Sequence, residues 1–345
     1  MSEEQISLQF LTSSKRIGYF TPGCGKNRLI GADIKILGLS FMMILTPSVW
    51  FIFCQLPLYE GFYIWLFVEV IFITSMLFDL LTLVDVGTTD SGIIPKATLK
   101  VNTDYNYYIE PRNPDANLIK LKICKTCHIL RPPRSFHCKK CGTCIEVHDH
   151  HCPFTGTCIG RRNHKKFIRF LFATFSHGVV AACLGIYPLW LKYNKPITNL
   201  YKFTSVILMG YSLVIMTLMF FFGMLHIYLA VTNVTTNEKL RGSYKKKTNP
   251  WDLGFQRNWH EKSVVNPETP SSIFDNRRGL MEDEEQFYHS ILSRYGTLVC
   301  QKIEDNESTE TNDQENEFIE YNNHGQIKMM QSEGKISMHS IDNAV

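Results

Sequence analysis

Cys124 to Phe167 reads CKTCHILRPPRSFHCKKCGTCIEVHDHHCPFTGTCIGRRNHKKF, and this stretch decides how the rest of the chain is read. It holds seven of the eleven cysteines: Cys124, Cys127, Cys138, Cys141, Cys144, Cys152 and Cys158. Histidines 128, 137, 148, 150 and 151 lie among them. The Cys-x2-Cys pairs at 124/127 and 138/141 have the bite of a structural zinc site, since two thiolates two residues apart reach one tetrahedral metal from a tight turn. Two such metals take eight ligands. The seven cysteines with His137 and His151 make nine, so one thiol is surplus. Cys152 fits that place because it follows Asp149-His150-His151 directly. A thiol beside an imidazole, with a carboxylate to orient the ring, is the arrangement that makes a nucleophilic thiolate.

The spacing C-x2-C-x9-H-C-x2-C-x2-C-x4-D-H-H-C-x5-C-x4-N-x3-F resembles the DHHC-type protein S-acyltransferases, or palmitoyltransferases. Every fixed position is present: Cys124, Cys127, His137, Cys138, Cys141, Cys144, Asp149, His150, His151, Cys152, Cys158, Asn163 and Phe167. A pattern this long is far more specific than a short motif. The competing readings are a membrane-anchored zinc module that binds partners without chemistry, and a disulfide knot. Asp149 and His150 ahead of a surplus thiol argue against the first, because a pure module needs none of the three. A cytosolic setting argues against the second.

Outside the cluster, the mean hydropathy near zero averages two extremes, long apolar runs and a polar, acidic tail. The net charge of +4 is too small to argue for nucleic acid. Four runs are long enough to cross a bilayer as helices. They are Ile36 to Cys54 with an internal Pro47, Phe62 to Val84, Phe170 to Leu191, and Phe203 to Val231. Glu69, Asp79, His177 and His226 are the ionisable residues within them, too few for a transporter, and Glu69 and Asp79 are expected to face the bundle interior. The fold class expected is an all-α polytopic membrane protein, with a cytosolic zinc-binding domain between helices 2 and 3. Of the four cysteines outside the cluster, Cys24, Cys54, Cys183 and Cys300, the two in apolar runs are expected to be buried structural thiols.

Loop charge sets the expected orientation. Gln55 to Gly61 has no Lys or Arg, whereas Arg161, Arg162, Lys165, Lys166 and Arg169 precede the third span and Lys239, Arg241, Lys245, Lys246 and Lys247 follow the fourth. Both termini and the cysteine cluster are therefore expected in the cytosol. Lys192, Lys195 and Lys202 run against the rule. The resulting division is 1–33 as an N-terminal segment, 34–84 and 168–232 as the membrane helices, 85–167 as the zinc domain, 233–265 as a motif region and 266–345 as a mostly disordered tail. Eight carboxylates face one lysine between 301 and 320. Such a composition cannot bury enough apolar surface to fold alone. Phe274 to Tyr295 keeps enough apolar spacing for a short amphipathic helix.

The resemblance extends over about residues 30–260. Thr235-Thr236-Asn237-Glu238 matches the family's TTxE element, and Asn249 to Trp259 resembles its C-terminal aromatic motif, with Asn258 as the key position. Asp90-Ser91-Gly92 stands where the family has Asp-Pro-Gly, so Ser91 is a departure. The resemblance implies transfer of a long-chain acyl group from palmitoyl-CoA or a similar acyl-CoA, through a Cys152 thioester, to cysteines of substrate proteins. His150 would be the general base and Asp149 would orient it. It pairs Cys124, Cys127, His137 and Cys144 on one structural zinc and Cys138, Cys141, His151 and Cys158 on the other. Lys122, Arg131, Arg134 and Arg241 are candidates for the CoA phosphates. His177 stands about 15 Å above Phe167, near which the third span starts, where a polar group could close an acyl cavity or simply pack between helices. The implied setting is the endomembrane system, from ER and Golgi to plasma membrane. The implied partners are acyl-CoA, the bilayer and proteins with membrane-proximal cysteines.

Overall fold

The computed structural model describes residues 17–23, 28–54, 61–97, 101, 103, 105–111, 117–191, 199–245, 248–260, 262, 291–292, 294–302, 318–321 and 327–330. They form two compact units, one from Met1–Lys96 and Arg134–Arg277, the other from Ala97–Pro133 and Arg278–Val345.

Four helices dominate the first unit: α1 (Ile34–Cys54), α2 (Phe62–Thr88), α3 (His164–Leu191) and α4 (Asn199–Val231). All four are long and apolar enough to cross a membrane. Their outward faces carry large apolar side chains, among them Phe53, Phe67, Leu81, Val214 and Phe221. In water such a surface would aggregate, and in a bilayer it is solvated. The helices outrun the apolar stretches at their polar ends. α2 continues to Thr88 because Asp85 is paired with Arg28 at 2.7 Å and Lys166 at 2.8 Å. α3 begins at His164, earlier than the apolar run.

Inside the bundle, Phe51 of α1 stacks on Phe72 of α2 with ring centroids 4.3 Å apart. Pro47 sits within α1. Proline has no N–H, so the carbonyl four residues earlier loses its helical donor. That carbonyl belongs to Met43, and the Tyr211 hydroxyl of α4 donates to it at 2.8 Å. The helix defect thus becomes a tie between helices. Asp79 is wholly buried as expected, but Glu69 is only half-buried. The expectation of buried thiols in the apolar runs is corrected: Cys54 is half-buried and Cys183 is exposed on the outward side.

Between α2 and α3 the first unit builds its sheets from very short strands. β3 (Ile93–Ile94), β8 (Phe136–Cys138) and β9 (Thr143–Ile145) form a three-stranded antiparallel sheet in the order β3-β9-β8. β10 (His150–Cys152) and β11 (Thr157–Ile159) form a hairpin around the 3-10 turn Pro153–Thr155. Near the N-terminus β1 (Thr21–Pro22) pairs with β2 (Leu29–Ile30). Past α4 come two short helices, α5 (Thr236–Arg241) and α6 (Phe255–Trp259).

The second unit holds a hairpin of β6 (Lys122–Cys124) and β7 (Ile129–Arg131). Its larger sheet runs β12-β4-β5, from β4 (Tyr105–Pro111), β5 (Ile119–Lys120) and β12 (Gly296–Lys302). β13 (Phe318–Tyr321) pairs with β14 (Ile327–Met330). The polarity of 266–345 gave no reason to expect these last three strands. Of the helix expected at Phe274 to Tyr295, Ile291 and Leu292 are helical and most of the range lies outside the described residues.

Candidate active site

The β10–β11 hairpin sorts the chemistry by strand alternation. Side chains two apart on a strand share a face, and neighbours point to opposite faces. His150 and Cys152 therefore share one face and His151 takes the other. The register places His151 directly opposite Cys158. Gly156 closes the hairpin at φ +72°, with its N–H bonded to the Pro153 carbonyl at 2.9 Å. A side chain there would be strained and would meet Leu37 Cβ at 3.0 Å.

On the His151 face four donors converge. Cys138, Cys141, His151 and Cys158 place their ligand atoms within 4.8 Å of one another. Cys141 Sγ lies 3.4 Å from Cys158 Sγ, and His151 Nδ1 lies 3.4–3.6 Å from the three sulfurs. A tetrahedron with zinc–sulfur bonds of about 2.3 Å has edges of roughly 3.7 Å. The donor set and its spacing fit zinc. His151 Nε2 bonds the Asp33 carboxylate at 2.7 Å, and His148 Nε2 lies 3.7 Å from Cys158 Sγ. Such outer partners fix the tautomer and orientation of a metal-bound imidazole. The sequence reading missed Asp33, because a carboxylate 118 positions from His151 carries no local signal.

His137 and Cys144 are cross-strand partners on β8 and β9, with Nδ1 and Sγ 3.8 Å apart. Cys124 and Cys127 are both buried at the β6–β7 hairpin of the second unit, where the His128 N–H bonds the Cys124 carbonyl at 2.8 Å.

On the other face, Cys152 is buried against Leu37, Leu83, Val86, Ile159, Phe167 and Phe170. Asp149 Oδ2 accepts from His150 Nδ1 at 2.7 Å and from Thr236 Oγ1 at 2.7 Å, and Oδ1 accepts from the Thr236 N–H at 2.8 Å. These bonds fix the orientation of the His150 ring through its Nδ1. Nε2 is buried and forms no hydrogen bond within bonding geometry among the described residues. The Cys152 thiol is instead its electrostatic neighbour. Burial opposes the imidazolium, but the Asp149 carboxylate and Cys152 outweigh it and push His150 up to about 9. Burial likewise opposes the thiolate, and the His150 imidazolium more than offsets it, lowering Cys152 from the ordinary thiol range. Both shifts run in the direction of a thiolate beside an imidazolium.

Thr236 is positioned by a capping box. Thr235 Oγ1 accepts the Glu238 N–H at 3.1 Å, and Glu238 Oε2 accepts the Thr235 N–H at 2.8 Å. Arg134 grips Glu238 with two parallel bonds of 2.8 Å, donates to Asn233 Oδ1 at 2.9 Å and lies over the Trp251 ring. Asn258 donates to the Val231 carbonyl at 2.8 Å, satisfying the end of α4, and to Asp252 at 2.6 Å. His226 of α4 lies 5.6 Å from the His150 ring, against Phe167 and Phe222. Sequence reading placed His226 only as an ionisable residue of the fourth span.

Of the other expected site residues, Arg241 is exposed, bonded to Asn237 at 2.6 Å and seated over Phe136. Lys122 is exposed and Arg131 half-buried in the second unit. The Arg134 side chain is 6% exposed. His177 lines a cavity between the helices with Ser48, Phe72, Asp79 and Tyr211. Its Nε2 lies 2.9 Å from Ser48 Oγ and its Nδ1 2.9 Å from Ser75 Oγ.

Residues 117–243 match the family model for the DHHC palmitoyltransferases. The chain is 28% identical to palmitoyltransferase ZDHHC18 of Mus musculus, over 76% of this chain and 74% of that protein. It is 30% identical to probable protein S-acyltransferase 3 of Arabidopsis thaliana, over 79% of this chain and 71% of the relative. With probable protein S-acyltransferase 6 of the same plant it shares 32% over 69% of this chain and 64% of the relative. With its cysteine-rich motif, its four candidate spans and relatives matched over most of their length, the chain belongs to the DHHC palmitoyltransferase family.

Proposed function

We propose that this membrane acyltransferase moves a long-chain acyl group from acyl-CoA to cysteines of substrate proteins, through a thioester on Cys152. The observation that carries the reading is the division of labour in β10. His151 faces the four-donor metal cluster, while Cys152 and the Asp149-anchored His150 face the apolar interior. A metal module without chemistry would have no use for the second face.

Cys152 Sγ attacks the thioester carbonyl carbon, the bond from that carbon to the CoA sulfur breaks, and the CoA thiolate takes the proton held by His150. In the second step His150 accepts the proton of the incoming cysteine thiol, whose sulfur displaces Cys152. One thioester replaces another, so positioning matters more than driving force. Zinc, four-coordinate in each quartet, would supply a closed structural scaffold. By resemblance the first quartet is Cys124, Cys127, His137 and Cys144. Lys122, Arg131 and Arg241 are proposed to meet CoA phosphates. Arg134 was a fourth candidate, and its bonds to Glu238 and Asn233 favour a positioning role. The site lies on the cytosolic side of an endomembrane in this reading, with both termini on the same side.

The acyl chain would leave Cys152 between the helices and run toward His177. Both serines that hold the His177 ring also lie within bonding distance of backbone carbonyls, Ile44 and Phe72. Such a fixed ring forms a firm end wall, and we propose that it measures acyl length. The reading is tested by incubating purified protein with palmitoyl-CoA and mapping hydroxylamine-labile acylation. The expected result is labelling of Cys152; labelling confined to other cysteines would refute it.

A further inference from the structure

An acyl chain calls for an apolar wall, and the cavity between the helices breaks that rule at several polar side chains, one of them a carboxyl. Asp79 of α2 lines the same cavity as His177 and is wholly buried. Its Oδ1 is 2.7 Å from Thr174 Oγ1. Its Oδ2 is buried and has no hydrogen-bond partner among the described residues. Leaving a carboxyl oxygen unpaired against methylene groups is unfavourable, because hydrocarbon offers it no hydrogen bond.

A proton count says what the missing partner must be. Thr174 has one hydroxyl proton and two acceptors within reach, Asp79 Oδ1 and the Phe170 carbonyl at 3.1 Å. If the proton goes to Asp79, Oδ1 is filled, and Oδ2 is either an unfilled acceptor or, in the protonated acid, an O–H donor without an acceptor. If it goes to Phe170, the proton bridging Oδ1 to Thr174 belongs to Asp79, and Oδ2 is again an unfilled acceptor. In every case Oδ2 needs a partner that donates or accepts, and a hydroxyl does both. The Tyr211 hydroxyl is already given to Met43. The Ser48 and Ser75 hydroxyls lie against backbone carbonyls and the His177 ring.

We propose that the cavity takes a long acyl chain bearing a mid-chain hydroxyl, bonded by Asp79 Oδ2, and that Asp79 is a specificity residue for such donors. The depth agrees. Cys152 shares a buried apolar cluster with Phe167 and Leu171. Thr174 lies three to seven residues farther along α3, roughly 5–10 Å. The oxygen therefore meets the chain part-way along, one turn before His177. The inference rests on the acyl-transfer reading.

The test is a competition on the full-length protein between palmitoyl-CoA and mid-chain hydroxyhexadecanoyl-CoA isomers, with acyl-Cys152 read by mass spectrometry. At least one isomer is expected to load about tenfold faster than palmitoyl. Asp79→Leu should abolish that advantage and raise palmitoyl loading, with metal content unchanged. Asp79→Asn, which keeps a polar partner for a hydroxyl, should retain it. Equal loading of all donors by the wild type, or an unchanged ratio in Asp79→Leu, would overturn the proposal and leave Oδ2 to a bound water. The wild-type ratio decides alone if the leucine variant does not fold. Loading of Cys152 by no donor would instead overturn the acyl-transfer reading, and this proposal with it.

Discussion

Asp149 holds His150 and is itself held by Thr236, once through the backbone N–H and once through the hydroxyl. Hydrogen bonds to a charged group contribute about 1.5–3 kcal/mol each. Thr236→Val removes the hydroxyl and keeps the backbone bond, so acyl-enzyme formation should slow about tenfold. A single-turnover time course with zinc content measured alongside checks this; an unchanged rate would show that the hydroxyl does not position Asp149. His177 carries a second prediction at this scale. His177→Ala should shift donor preference toward longer acyl-CoAs and His177→Trp toward shorter ones, in competition labelling across chain lengths. No shift in either variant would leave the ring as helix packing. The side chains proposed as catalytic could be named from the sequence because residue type and spacing single out Asp149, His150 and Cys152. Thr236 was legible only as part of an element, and its contact with Asp149 spans 87 positions that no local pattern records.

At the scale of elements, α5 is six residues long and cannot persist without its caps and tertiary bonds. Glu238 serves it twice, in the capping box and as the partner of Arg134. The pair is nearly buried, with side chains 6% and 12% exposed. Removing one member of such a pair leaves the other charge uncompensated, at a cost of about 3–5 kcal/mol. Glu238→Gln should therefore lower thermal stability and loosen Thr236, while the double variant Arg134→Met/Glu238→Gln should recover part of the loss. An additive double variant would show that the two do not act together. The helices were legible, because runs of apolar residues long enough for a bilayer leave little else to form. Their ends were less so, since α2 is extended by ion pairs to Arg28 and Lys166 that lie far off in sequence. The strands of two and three residues were not legible at all. They are too short to show alternation, and they are held by pairings with strands equally short. β12 was hidden for a related reason: its partner β4 lies some 190 positions earlier, in a segment without alternating pattern.

Over the whole molecule, the part of the first unit between α2 and α3 buries Ile93, Ile94, Ile145 and Ile159 around sheets whose strands are only two or three residues long. Structural zinc supplies folding free energy to such segments. Metal analysis should give two zincs per chain, and chelation should open 124–158 to proteolysis and end acyl loading together. One zinc, or loading that survives complete removal, would contradict the two-quartet arrangement. The account as a whole depends on Cys152 being the thiol that the metals leave over. The most direct measurement is therefore Cys152→Ala, assayed in one preparation for bound zinc and for hydroxylamine-labile label from palmitoyl-CoA. The account predicts zinc content equal to the wild type and no label. Loss of zinc comparable to Cys138→Ala, or label that persists on another cysteine, would contradict it.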